Sequence, residues 1–216
     1  MSRLLASIAD CAPRPTRYSG SAVGLLGGSF NPPHAGHRQI SLTALRRLGL
    51  RQVWWLVSPG NPLKDHSELK PFAERRALAA RISRHPRIAV STFEHDRGLI
   101  YTAQTIAALR AAHRDLSFVW IMGADNLATF HHWERWRSIA ETVPIAVFDR
   151  PGYRYKALSS PAATAYQSAR IAECDALNLS TYRAPAWTFL TGPLNPLSST
   201  QLRNSEKNAK SSQKNA

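Results

Sequence analysis

Two cysteines in 216 residues, Cys11 and Cys174, are too few and too far apart to frame a disulfide scaffold or a thiolate zinc site. Acidic residues are scarce as well. Fourteen Asp and Glu stand against 28 Lys and Arg, and no cluster of carboxylates offers a protein-built metal cage. No apolar run approaches membrane-spanning length, so no membrane partner is expected. Neither nucleotide-loop signature is present. The glycines lack the Lys-Ser/Thr that completes a Walker A loop, and Gly24–Gly28 does not form the dinucleotide fingerprint. These absences leave a globular chain of a reducing compartment, expected to be cytoplasmic.

What is abundant is positive charge and apolar surface. Hydrophobic residues make up 44% of the chain and the formal net charge is +14. Most of the excess lies between the termini, so the globular part is itself basic and favours polyanionic partners. Nucleic acid is not expected, because no arginine-rich run and no strand with paired stacking aromatics is present. Phosphorylated small molecules remain.

Residues 1–21 mix prolines and arginines with little apolar content and are expected to form a mobile extension outside the fold. Residues 204–216 are mostly Asn, Lys and Ser with no apolar residue beyond Ala, and should form a disordered tail. Between them, 22–203 reads as one domain in which strands and helices alternate. Strands are expected at Ala22 to Leu26, Val53 to Val57, Ile88 to Phe93, Leu116 to Met122, Ile145 to Phe148 and Trp187 to Leu190. Helices are expected at Gln39 to Leu48, Phe72 to Ile82, Tyr101 to Ala112 and Trp136 to Ala140, with Tyr166 to Ala172 helical and Asn178 to Pro185 a loop. The pattern predicts an α/β fold: an open parallel sheet with flanking helices, Rossmann-like. Ligands of such sheets bind beyond the carboxyl ends of the strands.

One of those strand ends is unusual. The run Ala22 to Leu26 breaks at Gly27-Gly28, continues through Ser29-Phe30-Asn31-Pro32-Pro33, and reaches two histidines, His34 and His37. Glycine lets the backbone turn and a ligand approach, and proline suits the first turn of a helix. A helix there would set both imidazoles on one face. Strand, glycine turn and helix N-terminus together make an anion site, and two imidazoles beside it point to phosphate chemistry. As metal ligands the pair lacks a third partner at a convincing spacing. A second candidate lies far along the chain at Ser198-Ser199-Thr200-Gln201-Leu202-Arg203, where hydroxyls and N–H groups at a helix start bind phosphate and an arginine one turn on can fork onto it. Alone, that segment is equally an ordinary capped helix with a solvent-facing arginine.

The first segment, Gly27 to His37, resembles the phosphate-binding motif of the nucleotidylyltransferase superfamily. Leu197 to Arg203 resembles its second motif. Asn61-Pro62-Leu63-Lys64, Tyr101 to Thr105, Gly123-Ala124-Asp125 with Trp133, and Arg150-Pro151-Gly152-Tyr153 are similar to segments of the bacterial nicotinate-nucleotide adenylyltransferases. Leu63 stands where that family often has a histidine, and Leu99-Ile100 where it often has Pro-Ser.

The resemblance implies adenylyl transfer from ATP to nicotinate mononucleotide, with Mg²⁺ carried mainly by the ATP phosphates. It implies catalytic roles for His34, His37 and Arg203. It implies substrate contacts from Gly27, Gly28, Ser29, Phe30, Lys64, Ser199 and Thr200, and from Arg150. Gly123 and Asp125 would meet ribose, and Trp133 would stack on the pyridine ring, with acceptor selectivity set near Thr102 and Trp133. Each has a plainer reading: Trp133 a core aromatic, Asp125 a helix cap, Lys64 a solvated loop lysine. The alternatives in function are adenylylation of nicotinamide mononucleotide or phosphopantetheine and, in another class, a basic nucleic-acid-binding module.

Overall fold

The computed structural model describes residues 22–60 and 69–192, together with Ser199 and Arg203. The readings for 1–21, 204–216, Lys64, Ser198 and Thr200 lie outside the described residues. In chain order the elements are β1 (Ala22–Gly28), α1 (Ala35–Arg47), β2 (Gln52–Val57), α2 (Phe72–Ser83), β3 (Ile88–Ser91), α3 (Phe93–Asp96), α4 (Thr102–Ala112), β4 (Ser117–Gly123), α5 (Ala124–Thr129), α6 (Trp136–Thr142), β5 (Ile145–Phe148), α7 (Arg154–Leu158), α8 (Pro161–Ala165), β6 (Arg170–Ile171) and β7 (Trp187–Leu190). Tight 3₁₀ turns fill Phe130–His132, Gln167–Ala169 and Glu173–Thr181.

Every strand pairing is parallel, in the order β3-β2-β1-β4-β5-β7-β6. The expected open sheet is therefore present. Successive side chains of a strand point to opposite faces, and the sequence satisfies both. Val23 and Leu25 of β1, Phe118, Trp120 and Met122 of β4, and Ile145 and Val147 of β5 face one core, closed by α4, α5, α6, α7 and α8. Ala22, Leu26, Val119, Ile121, Ala146 and Phe148 face a second core beneath α1, α2 and the Glu173–Thr181 turns. Burial on both sides is why these strands read as unbroken apolar runs rather than alternating ones.

Several boundaries differ from expectation. The strand read as Ile88 to Phe93 stops at Ser91, whose hydroxyl accepts from the Phe93 N–H and turns the chain into α3. Pro32 and Pro33 do not occupy the first turn of α1; they lead into it, and the helix begins at Ala35 after His34. Tyr166 to Ala172 is not a helix. After one 3₁₀ turn, Arg170 and Ile171 pair with Trp187 and Thr188 at the sheet edge, where ladder bonds win over local preference. Asn178 to Pro185 is not all loop, because the 3₁₀ turns to Thr181 bury Ala176 and Leu179. Helices α5, α7 and α8 are additions to the expected set. α8 nevertheless carries a legible signal, Ser160 capping the Ala163 N–H with Pro161 in the first turn.

Candidate active site

Strand order reverses between β1 and β4. β1 is followed outward by β2 and β3 on one side, while β4 and β5 lie on the other. A crevice opens beyond the carboxyl ends at such a reversal, and here an open cleft is lined by Gly27, His34, His37, Gly123, Asp125 and Arg150, among others. Two of these residues are glycines for packing reasons. A Cβ at Gly27 would lie 2.6 Å from Cη2 of Trp120, and one at Gly123 would collide with Oδ1 of Asp125.

The N-terminus of α1 points its unpaired N–H groups and the positive end of its dipole toward this cleft. His34 is the N-cap, in extended conformation, and not a helical residue as the i,i+3 reading had it. The two rings still meet, with centroids 3.9 Å apart. The His34 N–H donates to Nδ1 of His37 at 3.2 Å. Since Nδ1 accepts, the ring proton of neutral His37 resides on Nε2 and is available to a ligand. Burial, then the Arg150 charge, lowers the His34 pKa to about 4. Burial, then His34 and Arg150, lowers that of His37 to about 3, although part of its surface stays open to the cleft. Both imidazoles are therefore neutral hydrogen-bond donors near neutral pH, neither general acids nor fixed cations.

A second layer holds His37. Phe30 is buried with φ of 46°, a left-handed conformation rare for an aromatic residue. Its ring stacks on Trp55 at 4.9 Å and touches the His37 ring at 4.8 Å. Ser41, fully buried, donates to the His37 carbonyl at 2.8 Å and accepts from the Trp55 indole at 2.7 Å. None of this is legible in the sequence. Ser41 and Trp55 look like ordinary helix and strand residues until the two elements are packed together.

The two distant motifs meet. Ser199 Oγ donates to the Pro32 carbonyl at 2.8 Å, and Arg203 Nη1 donates to the Asn31 carbonyl at 2.6 Å. The arginine read as solvent-facing in one alternative is thus docked on the first motif. Across the cleft, Arg150 pairs with Asp125 at 2.6 Å, joining the exit of β5 to the first turn of α5. Asp149 is engaged by the Arg154 guanidinium. Among the described residues no group of three or more His, Cys, Asp or Glu could hold a metal.

The sequence-derived candidates divide into two sets. Gly27, Gly28, Ser29, Phe30, His34, His37, Gly123, Asp125, Arg150, Ser199 and Arg203 gather at the ends of β1, β4, β5 and the second motif. Thr102 and Trp133 do not line that cleft. Thr102 opens α4. Trp133 is partly buried, edge-on to Phe130 at 5.3 Å and to Trp120 at 6.3 Å, so the plainer reading as a packing aromatic is at least part of its role. It reaches the cleft through Trp120, which abuts Gly27 from the other side of the sheet. Lys64 and Thr200 lie outside the described residues.

Residues 25–205 match the family model described as cytidylyltransferase-like. A protein of Rhizobium meliloti, named probable nicotinate-nucleotide adenylyltransferase, is 58% identical over 185 residues, 86% of this chain and 98% of its own length. A protein of the same name from Methylorubrum extorquens is 57% identical over 181 residues, 84% of this chain and 98% of its own. The solved structure of Plasmodium falciparum nicotinic acid mononucleotide adenylyltransferase complexed with NaAD superposes with a TM-score of 0.64 at 15% identity, covering 85% of this chain and 83% of that one. That likeness shows a shared fold. The chain belongs to the cytidylyltransferase-like family and, within it, to the nicotinate-nucleotide adenylyltransferases.

Proposed function

We propose that the chain transfers the adenylyl group of ATP to nicotinate mononucleotide, forming deamido-NAD and pyrophosphate in NAD biosynthesis. An oxygen of the mononucleotide phosphate forms a bond to the α-phosphorus. The bond from that phosphorus to the bridging oxygen breaks, and its electron pair leaves with pyrophosphate. No enzyme nucleophile is needed, and catalysis rests on positioning and on stabilising charge that grows on the leaving group. The observation that carries the reading is the pair of imidazoles at the N-terminus of α1, in the switch-point cleft, with Arg203 docked on the Asn31 carbonyl of the loop that leads to them.

In this reading the Nε2–H of His37 hydrogen-bonds to a phosphate oxygen as negative charge builds there, and the proton stays on the ring. His34 lies against His37 and shares the task. Arg203 and Ser199 lie beside the same loop, where their side chains and N–H groups hold the β- and γ-phosphates together with Thr200. Gly27, Gly28, Ser29 and Phe30 supply backbone N–H groups to substrate phosphate. Gly123 and Asp125 bind ribose, Arg150 adds positive charge, and Lys64, Thr102 and Trp133 serve the acceptor. The two cleft carboxylates, Asp125 and Asp149, are both committed to arginines, a donor set that fits Mg²⁺ held chiefly by phosphate oxygens and water. Bound so, the ion offsets phosphate charge. With ATP as substrate, the enzyme is assigned to the cytoplasm.

The test is pyrophosphate release from ATP and Mg²⁺ with nicotinate mononucleotide, nicotinamide mononucleotide and phosphopantetheine in parallel. Release with the nicotinate form well above the other two supports the assignment. Preference for either of the others reassigns the acceptor. Silence with all three, together with steeply salt-dependent nucleic-acid binding, refutes the enzyme reading.

A further inference from the structure

An arginine outside both motifs is built into the same loops. Arg75, on the first turns of α2, is 1% exposed, an unusual fate for a guanidinium. Among the described residues its hydrogen bonds all go to backbone carbonyls, and its guanidinium lies over the Phe72 ring. Nε donates to Lys70 O at 2.8 Å, Nη1 to Ser29 O at 2.7 Å and Ser58 O at 2.8 Å, and Nη2 to Pro59 O at 3.1 Å. No carboxylate pairs with it among the described residues, so balancing a surface charge cannot be why it is buried.

The identity of those carbonyls is informative. Ser29 lies just beyond β1 and Ser58-Pro59 just beyond β2, the neighbouring strand. An anion site needs N–H groups turned toward the ligand and carbonyl oxygens turned away, since an oxygen facing a phosphate repels it. In a trans peptide the C=O and the following N–H point in opposite directions. Pinning Ser29 O to Arg75 therefore directs the Phe30 N–H away from the guanidinium, at the residue whose φ is 46°. Two further carbonyls of the loop are held as well, although each precedes a proline and so directs no N–H. Asn31 O is taken by Arg203 and Pro32 O by Ser199, while Asn31 Oδ1 accepts from the Lys70 N–H at 3.3 Å. Three carbonyls of 29–32 are held from outside the loop by three separate side chains.

We propose that Arg75 is a positioning residue of the nucleotide site, its guanidinium fastening the exits of β1 and β2 to each other so that the N–H groups beyond β1 meet substrate phosphate in one fixed arrangement. The proposal rests on the adenylyl-transfer reading and adds a residue outside the two motifs to it. A forked, planar donor is required. The ammonium of lysine presents its protons from one point and cannot reach Ser29, Ser58 and Pro59 together.

Arg75→Lys and Arg75→Ala test it, with kcat and KM measured for both substrates and amide hydrogen exchange measured on the free proteins. In Arg75→Lys we expect kcat to fall by about 10- to 100-fold, the scale of a small misplacement of phosphate ligands. Exchange should quicken at residues 28–30 and at Ser58 and Gly60, while amides in the middle of α2 keep their protection. Guanidinium added to Arg75→Ala at low, non-denaturing concentration should restore turnover in part, and methylammonium should not. Wild-type kcat in folded Arg75→Lys overturns the proposal. So does loss of protection throughout α2 without selective change at the loops, which would make Arg75 a residue of the fold alone. Should Arg75→Ala fail to fold, Arg75→Lys decides. Should the wild-type protein turn over no acceptor, the functional reading fails by itself, and the exchange pattern still judges Arg75.

Discussion

Gly27 offers a sharp test of how the core and the cleft are joined. A methyl group there would stand 2.6 Å from Cη2 and 3.1 Å from Cζ2 of Trp120. Carbon atoms rest at about 3.5–4.0 Å, so the indole must recede by roughly 1 Å. It has little room, being 2% exposed and edge-on to Trp133. Overpacking of this kind costs about 1–3 kcal/mol, and the gain from replacing a flexible glycine returns about 0.5–1 kcal/mol. Gly27→Ala should therefore lose up to about 2.5 kcal/mol in urea unfolding. Trp120→Phe alone should also destabilise, because the smaller ring leaves a void. Combined, the void accepts the methyl group, and the double mutant should be more stable than the sum of the singles by about 1 kcal/mol or more. Four unfolding curves measure this coupling. Additivity within about 0.3 kcal/mol would show that methyl and indole do not compete for one space, and would refute the reasoning.

The remaining predictions concern titration and roles. His34 and His37, with pKa values of about 4 and about 3, should stay neutral in NMR titrations down to about pH 5, with His37 as the Nε2-protonated tautomer. The unfolded chain takes up those protons near the ordinary histidine value, so their contribution to stability should fall as pH drops below that value toward about 4. His37→Ala should lower kcat by about 10²–10³-fold with a smaller effect on ATP affinity; an unchanged rate would remove it from the site. Glu94 is buried with a hydrogen bond from Thr105, and burial raises its pKa to about 7. The folded state thus holds its proton more tightly than the unfolded state, and stability should decline as pH rises through about 7. Glu94→Gln should abolish that decline, gaining about 1–3 kcal/mol at about pH 8 and little at about pH 5, read from unfolding curves at both. Trp133→Ala should raise the KM for the mononucleotide more than that for ATP, whereas equal changes would assign it to packing alone.

The parts of the fold that were legible share one physical property. β1, β4, β5 and β7 are buried on both faces, so each writes its position as an apolar run. β6, two residues long, has no such signature; it exists because the edge of β7 offers free ladder positions to whatever lies beside it. α3 follows from a serine hydroxyl competing for a backbone N–H, and α7 and α8 are too short for periodicity to register. The candidate site divides the same way. His34, His37 and the glycines lie within one contiguous stretch and declare themselves. Trp120, Ser41, Trp55 and Arg75 look ordinary in the chain, and their importance lies in what they touch.

By itself the sequence determined the long strands and helices, the strand end with its glycine turn and two imidazoles, and the serine-threonine segment that ends at Arg203. Those features depend on composition and on neighbours within a few residues. Tertiary structure decided the rest. Burial beside Arg150 makes the histidines neutral, and a backbone N–H selects the tautomer of His37. The second motif docks on the carbonyls of the first, and Trp133 is held edge-on to Trp120 and Phe130. Protonation, tautomer and carbonyl direction depend on desolvation and on partners far off in the chain, and those are set once the chain has folded.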